Sequence, residues 1–366
     1  MLLVTKRPIR KKNHRLPWCI SDFYCYFCIK TSDIDSNSQQ SAETDTVANS
    51  LPLFYLSVQT SLFIRGYKSL PELLKFSVLP MISASIFSSE LKKHQLSDGK
   101  KHRNKPGRLS DAEVITILIL FHSKGFRCLK HFYTQYVCKH LLHLFPKTVS
   151  YNRFVELQKS VLLSLTVFIN EVLLGTCTGI AYVDSTPLRV CKHQRILIHK
   201  TFKGIAQRGK CSMGWFFCFK QHLIINDKGE ILNFMFTPGN VDDREPLYSE
   251  SFIENVKGKL CGDKGYIGKQ LFEFLFMNGI QLVTKVKNDM RDSLLSVADK
   301  IMLRKRALVE SVNDELKNIA QIEHSRHRSF ANFITNALSA IAAYCFFPKK
   351  PSISLAFVAD NQLTLF

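Results

Sequence analysis

The spacing of apolar positions changes near residue 178 of this 366-residue chain. From residue 86 to about 174, apolar residues recur at helical spacing. The stretch RLSDAEVITILILFHSKGF shows Ser110 and Glu113 three residues apart ahead of an apolar run, which is the capping-box pattern of a helix start. Further helices are predicted over FRCLKHFYTQYVCKHLLHLF and from Ser150 onward. This part therefore predicts a small helical domain.

Beyond residue 178 the apolar runs are shorter and alternate with turn residues. GIAYVDS predicts a buried strand that ends at Asp184, and residues 215–239 predict a hairpin around the turn DKG. A helix across DREPLYSESFIENV, the strand KLCGD, another helix, another strand and a helical region up to residue 347 follow. This order predicts an α/β domain with a mixed sheet.

These patterns divide the chain into four parts. The first part, with its polar stretch SDIDSNSQQSAETDTVANS, is predicted to be irregular and disordered. The predicted boundaries are 1–80 for this irregular segment, 81–176 for the helical domain, 177–347 for the α/β domain and 348–366 for a C-terminal tail.

The charge balance of the chain indicates a binding partner. Lys and Arg number 50 against 30 Asp and Glu, which gives a formal net charge of +20. An excess of this size is typical of proteins that bind nucleic acid, although a ribosomal or membrane-surface role would also suit it. The helical domain, preceded by GKKHRNKPGR, is a plausible DNA-binding module, and a plain helical domain with a solvated basic face is the alternative.

Cysteine spacing and apolar run length indicate the compartment. The eleven cysteines show no paired framework, which fits a reducing cytoplasm, and the single CxxC, Cys25 and Cys28, has no second pair at zinc-ribbon spacing. The longest apolar runs are too short or too polar to span a bilayer, so no membrane association is expected.

Three acidic residues stand out as candidate ligands. Asp184 and Asp263 follow predicted strands, and Glu310 lies on a predicted helix. Each alone is more simply a turn residue or a surface ion pair, but together they offer the oxygen ligands that Mg²⁺ prefers. Asp314 and Glu315 compete with Glu310 for the third place; Glu315 is about 140° around the helix from Glu310, so the two are not expected to face one site.

The sequence resembles bacterial insertion-sequence transposases of the DDE type, which have a ribonuclease-H-like catalytic domain, and it is most similar to the insertion-sequence 982 family. The similarity runs from about residue 100 to about 335. The motifs that carry it are VDSTPLRVC, GWFFCFKQHLIINDKGEI, TPGNVDDREPL, GDKGYIG and LRKRALVESVNDELKNIAQIEHSRHRS.

The resemblance implies that Asp184, Asp263 and Glu310 form a metal-binding catalytic triad for two Mg²⁺ ions, with Mn²⁺ as a substitute. Related transposases carry a Tyr-x2-Arg-x3-Glu-x6-Lys signature around the glutamate. Arg306 and Lys317 stand at the arginine and lysine positions, whereas Leu303 replaces the tyrosine. Arg306, Glu310 and Lys317 would share one helical face, where the two cations suit a phosphate beside a metal; a salt-bridged solvent face is the alternative.

Further DNA contacts are predicted on two segments. The basic stretch that follows Asp184 is a candidate backbone-contact loop, and a solvated loop is the alternative. Next to Asp263, Gly262 and Gly265 would let DNA approach the metal. The residues predicted to contact phosphate or bases in these segments are Lys203, Arg208, Lys210, Lys264 and Tyr266.

The implied activity is metal-dependent cleavage at transposon ends followed by strand transfer into target DNA. The implied partners are double-stranded DNA, as transposon ends and target, and further copies of the chain in a homo-oligomer on DNA. The implied location is the bacterial cytoplasm, at the nucleoid. Two alternatives remain open from the residues: a catalytically decayed transposase or other DNA-binding protein, and a ribonuclease-H-like nuclease without strand transfer.

Overall fold

A six-stranded sheet carries helices on both faces. The computed structural model describes residues 107–191, 193–211, 214–285, 296–323 and 327–353. The predicted irregular segment 1–80, the CxxC pair and most of the basic stretch before Leu109 lie outside these residues, as does the tail after Ile353.

The helices fall before, within and after the sheet. Ser110 caps the first helix, and its side chain and that of Glu113 form the predicted capping box. Two π-helical stretches, Phe132–Val137 and Ile169–Leu173, continue helices of the first part. The α-helices are α1 (Asp111–Ser123), α2 (Leu129–His131), α3 (Cys138–His140), α4 (Tyr151–Ser160), α5 (Leu162–Phe168), α6 (Glu250–Ile253), α7 (Lys269–Met277), α8 (Val297–Arg304), α9 (Ala307–Asn318) and α10 (Phe330–Cys345).

The sheet is mixed, as predicted. Its strands are β1 (Ile180–Cys191), β2 (Gln207–Cys211), β3 (Gly214–Asn226), β4 (Ile231–Pro238), β5 (Gly258–Gly262) and β6 (Ile280–Thr284). Their order is β2-β3-β1-β5-β6, and β4 pairs with the second half of β3. The pairs that involve β3 are antiparallel, whereas β1, β5 and β6 run parallel.

Strand β1 does not end at Asp184, so the predicted strand end is wrong. The strand continues to Cys191, with Thr186 and Leu188 buried. Pro187 has no backbone N–H, which predicts that the strand breaks there. The proline is nevertheless tolerated because the pairing of β1 with β5 stops at Tyr182. Beyond that point β1 is hydrogen-bonded on one side only, to β3, and prolines occur at such edges.

The single helix predicted across DREPLYSESFIENV is also wrong. The chain forms a 3₁₀ turn at Glu245–Tyr248 and then the short helix α6. Ser249 separates them in an extended conformation, with φ −86° and ψ 118°. A proline in the 3₁₀ turn and an extended residue after it prevent a continuous helix.

Alternation along the strands sends side chains to two cores. Val183 and Ile224 face a smaller core with α6 and α7. Tyr182 and Leu223 face a larger core that also contains residues of α1, α4, α5, α9 and α10. Helix α10 is buried from Asn332 to Tyr344 and packs against α1, α4 and α5. The helices before residue 176 and the α/β part thus bury one continuous core, and the predicted boundary between them stays a prediction.

No helix within the described residues is long and apolar enough to cross a membrane. The cysteines whose side chains are described are free thiols, for example Cys218 and Cys261 in the sheet.

A buried histidine ties α1 to the end of α9. The Nδ1 of His122 lies 2.6 Å from the carbonyl oxygen of Ala320, to which it donates, and burial lowers the pKa of His122 to about 4 from the ordinary value of 6.5. Burial likewise lowers the pKa of His222 and of His327 to about 4. Each of these imidazoles is therefore neutral in the folded protein at neutral pH.

We expect these imidazoles to make the fold acid-sensitive. Because the folded pKa of His122 lies below 6.5, the unfolded chain takes up the proton first as the pH falls. The contribution is present above about pH 6.5, declines towards about pH 4 and is on the order of 3 kcal/mol when fully lost. Urea unfolding of His122→Gln and wild type between about pH 7 and about pH 4.5 measures it. The variant should lose less stability than wild type; an equal loss would contradict the prediction, and His143→Gln, at an exposed site, is the control.

Candidate active site

Asp184 lies on β1, and Asp263 directly follows β5, the parallel neighbour of β1. Ile180 pairs with Lys259 and Tyr182 with Cys261, and each acid lies two residues beyond this last pair on its own chain segment. Asp263 follows the last residue of β5, as the sequence predicts. Tyr182 and Cys261 both face the larger core, and alternation therefore sends both carboxylates to that same face.

Helix α9 crosses this face of the sheet and brings Arg306 and Glu310 to Asp184. Arg306 immediately precedes α9, and Glu310 lies one turn later. A guanidinium nitrogen of Arg306 is 3.4 Å from a carboxylate oxygen of Asp184, and another is 2.5 Å from a carboxylate oxygen of Glu310. One guanidinium therefore joins the first and third residues of the predicted triad.

Asn313 completes the surroundings of Asp184. Its side-chain amide donates to the second oxygen of Asp184 at 3.0 Å. Asn313 lies one turn beyond Glu310 and is only 6% exposed. The sequence analysis missed this residue because an amide carries no charge; its i+3 spacing from Glu310 is the signal that could have found it.

The surroundings of the Asp184 carboxyl group disfavour its ionised form. Burial raises its pKa from 3.8 to about 6, and the charge of Glu310 adds to this rise. Arg306, a backbone hydrogen bond from Ser185 and the side chain of Asn313 oppose the rise. A carboxyl group with a pKa this near neutrality, in contact with a cation and close to a second acid, is typical of functional sites.

The site offers oxygen ligands without a closed cage. Asp184 is half-buried, whereas Glu310 and Asp263 are exposed. Among the described residues, no three His, Cys, Asp or Glu side chains lie together as a ready metal-binding group. The donor set nevertheless fits a hard divalent cation, because it consists of carboxylates. One cation, the guanidinium of Arg306, already lies between the carboxylates of Asp184 and Glu310.

The other charged residues of α9 have surroundings that differ from those of Glu310. Lys317 lies 3.8 Å from Glu323, not beside Glu310. Glu315 is half-buried; burial raises its pKa, and the cation that opposes this rise is Lys350 rather than Arg306. Asp314 is exposed. Leu303, at the tyrosine position of the signature, belongs to the larger core.

Tyr266 is placed against the sheet rather than towards DNA. It is 3% exposed in the smaller core, and a Cβ on Gly262 would meet its ring at 3.1 Å. The predicted phosphate or base contact of Tyr266 does not fit this burial. The role of Gly262 is therefore to make room for the tyrosine ring, and not to let DNA approach as predicted. At Gly265, by contrast, nothing lies within 4 Å of an added Cβ. Lys264 is half-buried in the turn after Asp263.

The basic segment after Asp184 continues β1 and returns through β2. Lys203 and Arg208 are exposed, on a turn and on β2 respectively. Lys210 lies on β2 and its side chain is outside the described residues. His222 is buried, with its Nε2 2.8 Å from the hydroxyl oxygen of Thr237.

Substitution of Arg306 tests the bridge. We expect Arg306→Gln to lower the free energy of unfolding by about 1–3 kcal/mol in the presence of EDTA, because the Asp184 carboxylate loses its charged donor while buried. Urea unfolding measures this change. Arg304→Gln, at an exposed position on the preceding helix, is the matched control and should change stability little. Equal effects of the two substitutions would contradict a stabilising bridge.

The segment that holds these residues is similar to a known domain. Residues 174–330 match the family model described as a transposase DDE domain. This match supports a DDE-type transposase and includes Asp184, Asp263 and Glu310. Among solved structures, the cryo-EM structure of the piggyBac transposase synaptic complex with hairpin DNA is 10% identical, with 76% of this chain and 74% of that chain covered and a TM-score of 0.41. No curated protein shows a significant match.

Proposed function

We propose that this chain is a DDE transposase that cleaves DNA at transposon ends and joins the freed end to target DNA. One observation carries the proposal: within the segment that matches a transposase DDE domain, Asp184 contacts the arginine that also contacts Glu310, and Asp263 directly follows β5, the parallel neighbour of the strand that carries Asp184. Membership of the insertion-sequence 982 family, and a bacterial origin, are part of this proposal.

The proposed architecture is a ribonuclease-H-like catalytic domain. The mixed sheet supports it, with one acid on β1, one directly after the parallel strand β5 and the third on a helix that packs against β1. The helices before residue 176 are proposed to bind DNA, supported by the net charge of +20.

Asp184, Asp263 and Glu310 would hold the divalent ions, proposed to be two Mg²⁺ with Mn²⁺ as a substitute. Bound there, such ions stabilise charge on the attacking and leaving oxygens of a phosphodiester displacement. The chain's own contribution is position: β1 and the end of β5 fix two carboxylates, and α9 presents the third.

The proposed reaction is two in-line displacements at phosphorus. In the first, a water oxygen forms a bond to phosphorus, the bond to the 3′ oxygen breaks, and the products are a 3′-hydroxyl and a 5′-phosphate. In the second, this 3′-hydroxyl attacks a target phosphodiester, one phosphorus–oxygen bond forms and one breaks, and a target 3′-hydroxyl is released. Both steps place charge on the same oxygens of phosphorus, so one set of residues can serve both.

Cations beside the carboxylates would position the DNA. Arg306 forms ion pairs with Asp184 and Glu310 and is proposed to turn to a phosphate when DNA is bound. Lys317, Lys264, Lys203, Arg208 and Lys210 are proposed as further phosphate contacts, which supply affinity and register rather than sequence choice. The proposed partners are double-stranded DNA and further copies of this chain, in the cytoplasm at the nucleoid.

The experiment is a strand-cleavage and joining assay on a supercoiled plasmid that carries the coding sequence with its native flanking DNA. Purified full-length protein is incubated with Mg²⁺, Mn²⁺ or EDTA, and primer extension maps the breaks. We expect breaks at inverted repeats that bracket the coding sequence, only with a divalent metal, and joined products when a second plasmid is added. Breaks without joining would identify a nuclease, and binding without breaks would identify a decayed enzyme.

A further inference from the structure

The β2–β3 hairpin is an arm of the sheet that extends beyond the catalytic carboxylates. Asp184 pairs with Leu223 near the middle of the paired region, whereas β3 begins at Gly214 and its first half pairs with β2. Arg208 pairs with Phe217, and Lys210 pairs with Trp215. Residues 207–218, called the β2–β3 arm below, therefore continue the sheet past the site.

Register shows which way the arm's side chains point. Residues 215, 217, 219, 221 and 223 alternate onto one side of β3, and Phe217, Phe219 and Leu223 face the larger core. Cross-strand partners share a face, so Arg208 lies on this side with Phe217, and Trp215 lies at the outer end of the same row. This is the face that carries Asp184.

The outer end of this row is both aromatic and basic. Trp215 is 61% exposed, and Arg208 is exposed next to it on the paired strand. Exposed Arg195, Lys200 and Lys203 lie on the chain between β1 and β2. An exposed indole among cations is the composition of surfaces that stack on bases while holding a phosphate backbone, since every base has a face for stacking.

We propose that the β2–β3 arm is a DNA-contacting surface on which Trp215 stacks against an unpaired base, such as one exposed at a melted or cleaved DNA end, while Arg208 contacts the backbone. Trp215 is eight residues from the partner of Asp184 along β3, or about 26 Å at about 3.3 Å per residue. This inference rests on the proposed function.

The experiment uses Trp215 as its own reporter. The chain has two tryptophans, Trp18 and Trp215, so the full-length Trp18→Phe protein emits from Trp215 alone. It is titrated with a mixed-sequence single-stranded DNA, with heparin and with anionic vesicles. We expect the single-stranded DNA to quench the emission by at least about half and heparin to leave it largely unchanged, because only the DNA offers unstacked bases. Equal quenching by heparin, or a response to vesicles but not to DNA, would overturn the inference.

Binding measurements give a second readout in the background that retains Trp18. We expect Trp215→Ala to weaken binding of single-stranded DNA about 5- to 100-fold, Trp215→Phe to retain most of it, and Arg208→Gln to reduce the salt dependence by about one phosphate contact. Phe276→Ala is the matched control, because Phe276 is 64% exposed on α7 against the other face of the sheet. Unchanged binding by Trp215→Ala with a normal thermal melt would overturn the inference. Cleavage of the plasmid is measured separately. A protein that cleaves the plasmid but whose Trp215 emission is not quenched by DNA would refute the inference about the arm and leave the proposed function intact.

Discussion

We expect replacement of Asp184 by Asn to lower the proposed metal-dependent strand cleavage by at least about 10³-fold, the loss that follows when a group that stabilises transition-state charge is removed. Asp184 is the residue on which the site converges, since Arg306 and Asn313 both donate to its carboxylate. Asparagine keeps the shape and can still accept from Arg306, but it is a poor ligand for a hard divalent ion. The measurement is the rate of plasmid cleavage at saturating Mg²⁺.

A measurement of thermal stability distinguishes this loss of activity from a loss of folded protein. Burial raises the pKa of Asp184 to about 6, so the ionised carboxylate is less favourable in the folded protein than in water. A neutral amide avoids that desolvation, and we expect Asp184→Asn to melt at the same temperature as wild type or higher. Asp314→Asn, at an exposed acid on the same helix as Glu310, is the control and should keep full activity. Full cleavage activity of Asp184→Asn would refute the proposed function.

A chain that begins at residue 177 does not fold into a stable α/β domain. Helices α1, α4 and α5 cover the same face of the sheet as α10 and share its core, so their removal exposes the large apolar surface of that face. We expect the fragment to aggregate or to show no cooperative thermal transition, whereas the full chain melts cooperatively. Circular dichroism and size-exclusion chromatography measure this difference, and a soluble fragment with a cooperative melt would support an independent domain beginning at 177.

A point substitution gives the graded version of the same test. Phe154 of α4 is fully buried, and its ring stacks on Tyr133 with the ring centroids 4.3 Å apart. Phe154→Ala in the full chain should lower the free energy of unfolding by about 3–5 kcal/mol, because it leaves a cavity in the shared core. Phe272→Ala, at a partly exposed ring on α7, should cost much less.

The sequence predicts the parts of the site that depend on local pattern. Ser110 with Glu113, the turn after β3 and the end of β5 at Asp263 all follow from short stretches of sequence, and the structure agrees with each. The mixed sheet follows from the order of these stretches. The choice of Glu310 over Glu315 follows from the helical period and is consistent with their different cationic neighbours, Arg306 and Lys350.

The remaining features depend on tertiary contacts that no short stretch contains. The continuation of β1 through Pro187 is decided by where β5 stops, which is a property of another strand. The contact of Asn313 with Asp184 depends on how α9 crosses β1, and the burial of Tyr266 depends on the smaller core that α6, α7 and the sheet form around it. The shared core arises because α10, late in the chain, packs between early helices and the sheet.

The unbroken length of β3 restricts how this chain can diverge in evolution. The strand runs from Gly214 to Asn226 and pairs with β1 around Asp184 and with β2 in the arm. Because strand side chains alternate with a period of two, inserting one residue into β3 beyond Leu223 would turn Trp215 to the opposite face, whereas inserting two would keep its face and lengthen the reach by about 7 Å. Descendants of this chain should therefore vary the arm in steps of two residues.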